Sequence, residues 1–245
     1  MTNLVVGLLL GFVASPSTSL IEQGDVEFAR IRYPQAMDLY VSALGSTSDA
    51  ADVLWRLARV YVCQADISPE DRKLELYREA ENFARRSIEL DSLRSEAHTW
   101  RAAALGNIAV FEGGKTKIRL CYEIKRELDC SIALNGSDDI AYSILGSYYM
   151  ALGNVSWIER RLASVFLESL PEGGYGESEQ ALKKAIAVAP AVIRHHYELG
   201  VLYMQEDRTS EAVGELRLVG TLQVLIASDP RTQATAAGLL AELAP

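Results

Sequence analysis

Small and apolar residues recur along this chain at helical spacing, in register with four turn positions, Ser48, Ser92, Gly136 and Pro190. Twelve residues before each turn stand Ala36, Ala80, Ile124 and Ser178; eight before stand Tyr40, Ala84, Leu128 and Leu182; five before stand Ala43, Ser87, Ser131 and Ala185. Offsets of 4 and 3 place these residues on one face of a helix, so each turn closes an amphipathic helix with a single buried stripe. A second stripe follows each turn at nine, ten and thirteen residues: Leu57, Ala58 and Tyr61; Arg101, Ala102 and Leu105; Leu145, Gly146 and Tyr149; Leu199, Gly200 and Tyr203. The pattern predicts paired helices repeated along the chain.

The third and fourth copies of the second stripe look like the first helix of a tetratricopeptide repeat, where a small residue admits the partner helix and an aromatic fills the gap beside it. The fold class expected is therefore all-α: a tetratricopeptide-like solenoid of antiparallel helix pairs. The turns lie 44, 44 and 54 residues apart, against the usual ~34, and the excess falls between the two helices of a unit, at residues 66–75, 110–119 and 154–173. Pro69, Glu70 and Asp71 read as a helix start, so part of the excess lengthens helices. Residues 155–168 carry Trp157, Ile158, Leu162, Val165 and Phe166 at helical spacing and predict an extra short helix. Ala212, Leu216 and Val219 repeat the second-helix stripe, Pro230 is expected to stop that helix, and residues 232–243 are expected to form a C-terminal capping helix.

Residues 4–14 are an unbroken apolar or Gly run followed by small residues. That is too short for a span of about 20 residues and suits the core of an export signal, although the first basic residue is Arg30. Residues 1–20 are read as a signal peptide or membrane-associating segment, with a helix packed onto the body as the alternative, and residues 21–245 as one helical domain. Cleavage would mean an exported or periplasmic protein; retention would mean a cytoplasmic or membrane-associated one. The three cysteines, Cys63, Cys121 and Cys130, make no disulfide framework and lean against an oxidising compartment. A net charge of -9 argues against nucleic acid as a partner and offers no bulk attraction to an acidic protein surface.

Four segments carry a likeness to a known family. They are Asp52-Val53-Leu54-Trp55-Arg56-Leu57-Ala58-Arg59, Glu112-Gly113-Gly114-Lys115-Thr116-Lys117-Ile118, Tyr122-Glu123-Ile124-Lys125-Arg126-Glu127-Leu128-Asp129 and Ser156-Trp157-Ile158-Glu159-Arg160-Arg161-Leu162-Ala163. In content, order and separation they resemble the regulator of microtubule dynamics proteins, a divergent tetratricopeptide group, over residues 33–226. The resemblance implies a helical adaptor linked in animals to microtubules and membrane contact sites and, for one member's repeat domain, to phospholipid binding.

The first helices of such an array line its concave face, and the inward offsets select Trp55, Arg59, Met150, Arg194, Tyr197 and Met204. An aromatic, adaptable methionines and cations suit an extended peptide or an amphipath with an anionic end; the alternative is that Trp55, Met150 and Met204 are core and the arginines pair with acids. Lys115, Arg119, Tyr122 and Arg126 form a basic stripe, with Lys117 beside it, that would meet phosphate or carboxylate at the groove rim or else be a solvated helix face. Trp157 with Arg160 would anchor the extra helix as a lid over the groove, or pack internally.

Catalytic signals are thin. His195-His196 followed by Glu198 lacks an i, i+4 ligand pair, Gly113-Gly114-Lys115-Thr116 lacks phosphate-loop spacing, and the acid pair Asp138-Asp139 is explained by helix capping. The expectation is a non-catalytic adaptor that binds a protein or peptide in its groove. A carrier of phospholipid or another amphipath is the alternative and a hydrolase the outsider; no cofactor or metal is implied.

Overall fold

The computed structural model describes residues 19–155 and 170–243. They form eleven helices and no strand among the described residues: α1 (Leu20–Ala29), α2 (Tyr33–Leu44), α3 (Ala50–Ile67), α4 (Glu70–Leu90), α5 (Ser95–Glu112), α6 (Gly114–Leu134), α7 (Asp139–Gly153), α8 (Tyr175–Val188), α9 (Ile193–Gln205), α10 (Thr209–Val219) and α11 (Asp229–Glu242). Consecutive helices pair antiparallel, giving α1–α2, α3–α4, α5–α6, α7–α8 and α9–α10, and from α3 onward the first helices of successive pairs stack on one another. Helix starts follow local chemistry. Asp49 caps α3 by accepting from the Asp52 amide, and Asp138 caps α7 by accepting from the Ala141 amide; Glu70 and Asp71 occupy the first turn of α4, where the helix dipole favours acids.

All twelve positions of the stripe that precedes the turns are buried. Ala36, Tyr40, Ala80, Ala84, Leu128, Leu182 and Ala185 have no measurable exposure. Two of the three serines in this stripe bond a backbone carbonyl of the facing first helix: Ser87 donates to the Ala51 carbonyl at 2.7 Å and Ser178 to the Gly146 carbonyl at 2.8 Å. The small residue of each first helix sits where the sequence pattern requires it. A methyl group on Gly146 would lie 2.5 Å from Leu182, and one on Gly200 would lie 2.9 Å from Leu216.

Two features differ from expectation. The array begins earlier than residue 33, because α1, started by a Ser19–Glu22 capping box, pairs with α2. Gly24 meets the Tyr40 ring as Gly146 meets Leu182, so α1–α2 is a helix pair of the same kind. Pro230 lies in the first turn of α11 and opens that helix instead of ending α10, which stops at Val219; a proline costs no helical hydrogen bond there.

The first two enlarged connections resolve into longer helices. α3 and α5 have 18 residues and α4 and α6 have 21, whereas α9 and α10 have 13 and 11. At 1.5 Å per residue the longer hairpins reach roughly 10 Å further than the last one. Only Gly113, with φ of 61°, joins α5 to α6. The expected extra helix at residues 155–168, with Trp157 and Arg160, lies almost wholly outside the described residues.

The first helices form an inner layer and the second helices an outer one. No residue of α3 from 50 to 66, of α5 from 95 to 109, of α7, or of α9 from 193 to 204 is fully exposed. The stretch after α10 runs back to the first helix pairs. The Ala227 amide donates to the Tyr33 hydroxyl at 3.0 Å, Arg231 donates to the Asp66 carbonyl at 2.8 Å, and Ala227 packs on the cluster of Tyr33, Val60 and Cys63. Asp229, only 4% exposed, holds the turn before α11 by accepting from the Leu225 and Ile226 amides.

Candidate ligand-binding surface

The sequence-selected groove residues divide into three environments. Trp55 is 8% exposed, donates from Nε1 to Asp52 at 3.1 Å and carries the Arg56 guanidinium 4.3 Å from its ring. Met150 is core: it packs with Leu182, Leu199, Leu202, Tyr203 and Ala212, because its helix is enclosed by α8 and α9. Neither presents a face to a ligand. Tyr197 and Met204 are half-buried against Ile193, Leu216, Val219 and Ala236, partly beneath α11.

Arg59 already has a carboxylate. Its Nη2 donates to Asp25 at 2.8 Å and to the Tyr40 hydroxyl at 3.0 Å, and its guanidinium lies 3.9 Å from the Phe28 ring. Arg56 Nε binds the same carboxylate at 3.0 Å, and Tyr40 donates to it at 2.6 Å. Burial pushes the Asp25 carboxyl up, but the Tyr40 hydroxyl and the two guanidinia outweigh it and hold the group below its ordinary range. The charge pair expected between Arg59 and an outside anion is made inside the chain, by α1.

Arg194 differs. Its side chain is 43% exposed, its nearest carboxylate oxygen, on Glu198, is 3.9 Å from Nε, and that buried Nε has no hydrogen-bond partner among the described residues. It lies within electrostatic reach of the Asp66 carboxyl, which burial raises while Tyr77, Arg194 and Arg231 pull it down. The buried Nε of Arg59 also has no hydrogen-bond partner among the described residues, so what sets Arg194 apart is that no carboxylate of the described residues comes nearer than 3.9 Å.

The basic residues Lys115, Lys117 and Arg119 are exposed at the α5–α6 tip, away from the inner layer. Arg126 is exposed as well but binds Glu127 at 2.9 Å. No group of three or more His, Cys, Asp or Glu with metal-ligand geometry occurs among the described residues.

Two of the three histidines, His98 and His196, belong to a device that sequence reading missed. His98 Nδ1 faces Glu127 at 2.6 Å and its Nε2 faces the Ser92 carbonyl at 3.1 Å; His196 Nδ1 faces Glu215 at 2.7 Å and its Nε2 faces the Pro190 carbonyl at 2.9 Å. Each histidine stands six residues after its turn and binds that turn's own carbonyl. Both ring nitrogens face acceptors, so only the imidazolium satisfies both. Burial opposes charge on His98, but Glu127 and the Ser92 carbonyl outweigh it and raise its pKa; Glu215 does the same for His196 against burial. Arg101 completes the first copy by bridging Glu81, Glu123 and Glu127. The recurrence of His at one offset was the available signal.

This architecture, five helix pairs with small residues at the crossing points and a C-terminal cap, defines an all-α solenoid of the tetratricopeptide class. A thermophilic TPR protein of Thermus thermophilus has the same fold, with a TM-score of 0.65 at 18% identity over 91% of this chain and 97% of that one. The family described as regulator of microtubule dynamics protein 1-3 matches residues 20–244, and the chain belongs to it. Regulator of microtubule dynamics protein 1 of Mus musculus is 32% identical over 145 residues, 58% of this chain and 48% of that protein. The Rattus norvegicus protein of the same name is 29% identical over 195 residues, 77% of this chain and 62% of that one. The chain therefore spans about half the length of the first of these relatives.

Proposed function

We propose that this chain is a non-catalytic binding adaptor that takes the carboxylate of an extended peptide at Arg194, with Tyr197 beside it. The observation that carries the reading is the Arg194 side chain, 43% exposed on the inner layer, whose only ion pair among the described residues is a long 3.9 Å approach to Glu198. The exposed part of such a guanidinium gains a charge-assisted hydrogen bond when an anion arrives, worth about 1.5 to 3 kcal/mol. Tetratricopeptide arrays are built to present side chains of stacked first helices to extended ligands, and family membership supports the adaptor role.

A carrier of an amphipathic molecule is the second reading. It is favoured by the half-buried apolar group of Tyr197, Met204, Leu239, Leu240 and Leu243, which meets beneath α11 and would accept an acyl chain if that helix lifted.

Peptide arrays with free C-terminal carboxylates, each paired with its amidated form, test the first reading. Arg194→Ala should lose carboxylate-dependent binding by tenfold or more, while Arg217→Ala, an exposed change on α10, leaves it intact. Equal binding of acid and amide forms would place the site elsewhere. Mass spectrometry of an organic extract of the purified chain tests the carrier reading; absence of a stoichiometric lipid overturns it.

A further inference from the structure

The α5–α6 hairpin ends in a narrow projection of unusual composition. Val110 is 74% exposed and Phe111 38%, and they stand just before the single connecting residue, Gly113. A methyl group placed on Gly113 would meet no atom of the described residues within 4 Å. The acid of this tip, Glu112, is answered from α4 by Arg78 at 2.7 Å and locally by Thr116, which hold its carboxyl below the ordinary range. Lys115, Lys117 and Arg119 follow, all exposed and none in an ion pair among the described residues. Elsewhere Arg56, Arg59, Arg94, Arg101 and Arg208 are bound to acids.

We propose that this tip docks the protein on an anionic membrane surface, with Val110 and Phe111 entering the boundary between headgroups and acyl chains and the three cations lying among anionic headgroups. Shape favours a lipid surface over an acidic peptide. A convex hairpin end meets a flat surface well, whereas an extended peptide needs a groove or a sheet edge to bury its backbone. Composition agrees, since exposed apolar residues flanked by unpaired cations suit an interface that is greasy below and anionic above. Three cations at such a surface together favour binding by on the order of a hundredfold. The rest of this acidic chain is repelled, but screening limits that repulsion to about 10 Å at ordinary salt, roughly the reach by which this hairpin exceeds the last one. The neighbouring α3–α4 hairpin has helices of the same length, but at its tip Glu70 and Glu75 are answered by Lys73 and Arg72, which leaves Asp71 as the acid outside an ion pair among the described residues.

The test is flotation of the full chain with phosphatidylcholine vesicles, with and without phosphatidylserine. Wild type should bind the phosphatidylserine vesicles at least tenfold more strongly, and added salt should weaken binding. Lys115→Glu with Lys117→Glu should reduce binding tenfold or more, Phe111→Ser should reduce it severalfold, and Arg217→Glu should leave it unchanged, all with a thermal midpoint close to wild type. Binding that survives the tip variants would belong to the apolar run at residues 4–14 and would overturn the proposal. Equal binding to both vesicle types, or none to either, would also overturn it. So would tip variants that lose only binding to immobilised polyglutamate, because the partner would then be an acidic chain.

Discussion

At Gly146 the α7 backbone passes so close to Leu182 that a Cβ would sit 2.5 Å from its Cγ, and Leu182 is fully buried. Gly146→Ala is therefore expected to lower stability by about 1–3 kcal/mol, despite the better helix propensity of alanine, because neither helix can yield without opening the core. Gly106, inside α5, has open space at the same position, and Gly106→Ala should stabilise by about 0.5–1 kcal/mol. Urea unfolding of the two variants checks both signs. Glu127, 3% exposed, answers Arg101 and His98 together. Glu127→Ala leaves two buried cations without their common partner and should cost about 3–5 kcal/mol, read as a lower midpoint in the same experiment.

Within a helix pair, the histidine devices tie the start of the first helix to the second helix, α5 to α6 and α9 to α10. Their pKa values are raised above 6.5, so their stabilisation is complete below about pH 6.5 and is lost as pH rises through the folded values. Glu127 acts at the other end of the scale. Burial pushes its carboxyl up, but His98, Arg126 and Arg101 prevail and hold it at about 2. Its contribution is present above its ordinary 4.5 and is lost as pH falls toward 2. Stability from these groups should plateau between about pH 4.5 and 6.5 and decline on both sides. Denaturant midpoints across pH for wild type and a His98→Gln, His196→Gln variant check this: the alkaline decline should flatten in the variant.

Over the whole molecule, the return of the C-terminal stretch to α2 and α3 joins the first and last helix pairs. The Tyr33 hydroxyl, on a residue 1% exposed, accepts the Ala227 amide. Tyr33→Phe leaves that amide unanswered, and the expected cost is about 1–3 kcal/mol. Hydrogen exchange should report it locally, with faster exchange at residues 225–229 and at the start of α2 while α5 and α6 keep their protection. Unchanged exchange in those segments would mean that the closure contributes nothing to holding the ends together. The same closure shapes any binding at Arg194, because Tyr197 and Met204 lie partly under α11.

The helix pairs, their small-residue crossings and the lengthened hairpins were legible in the sequence because each depends on residues a few turns apart on a regular helix. A stripe such as Ala80, Ala84 and Ser87 leaves a period that can be read directly, and so does the repeat of that period along the chain. The helix α1 was harder: Gly24 occupies the small position, but Glu27 stands where the aromatic should be. What only the tertiary structure decided was which face of each inner helix stays open. Asp25 meets Arg59 across 34 positions and Ala227 meets Tyr33 across 194. Pairings at such distances have no period and depend on how the whole stack turns, so a cation that looked free for a ligand, Arg59, is held by Asp25, while Arg194 has no carboxylate of the described residues nearer than 3.9 Å.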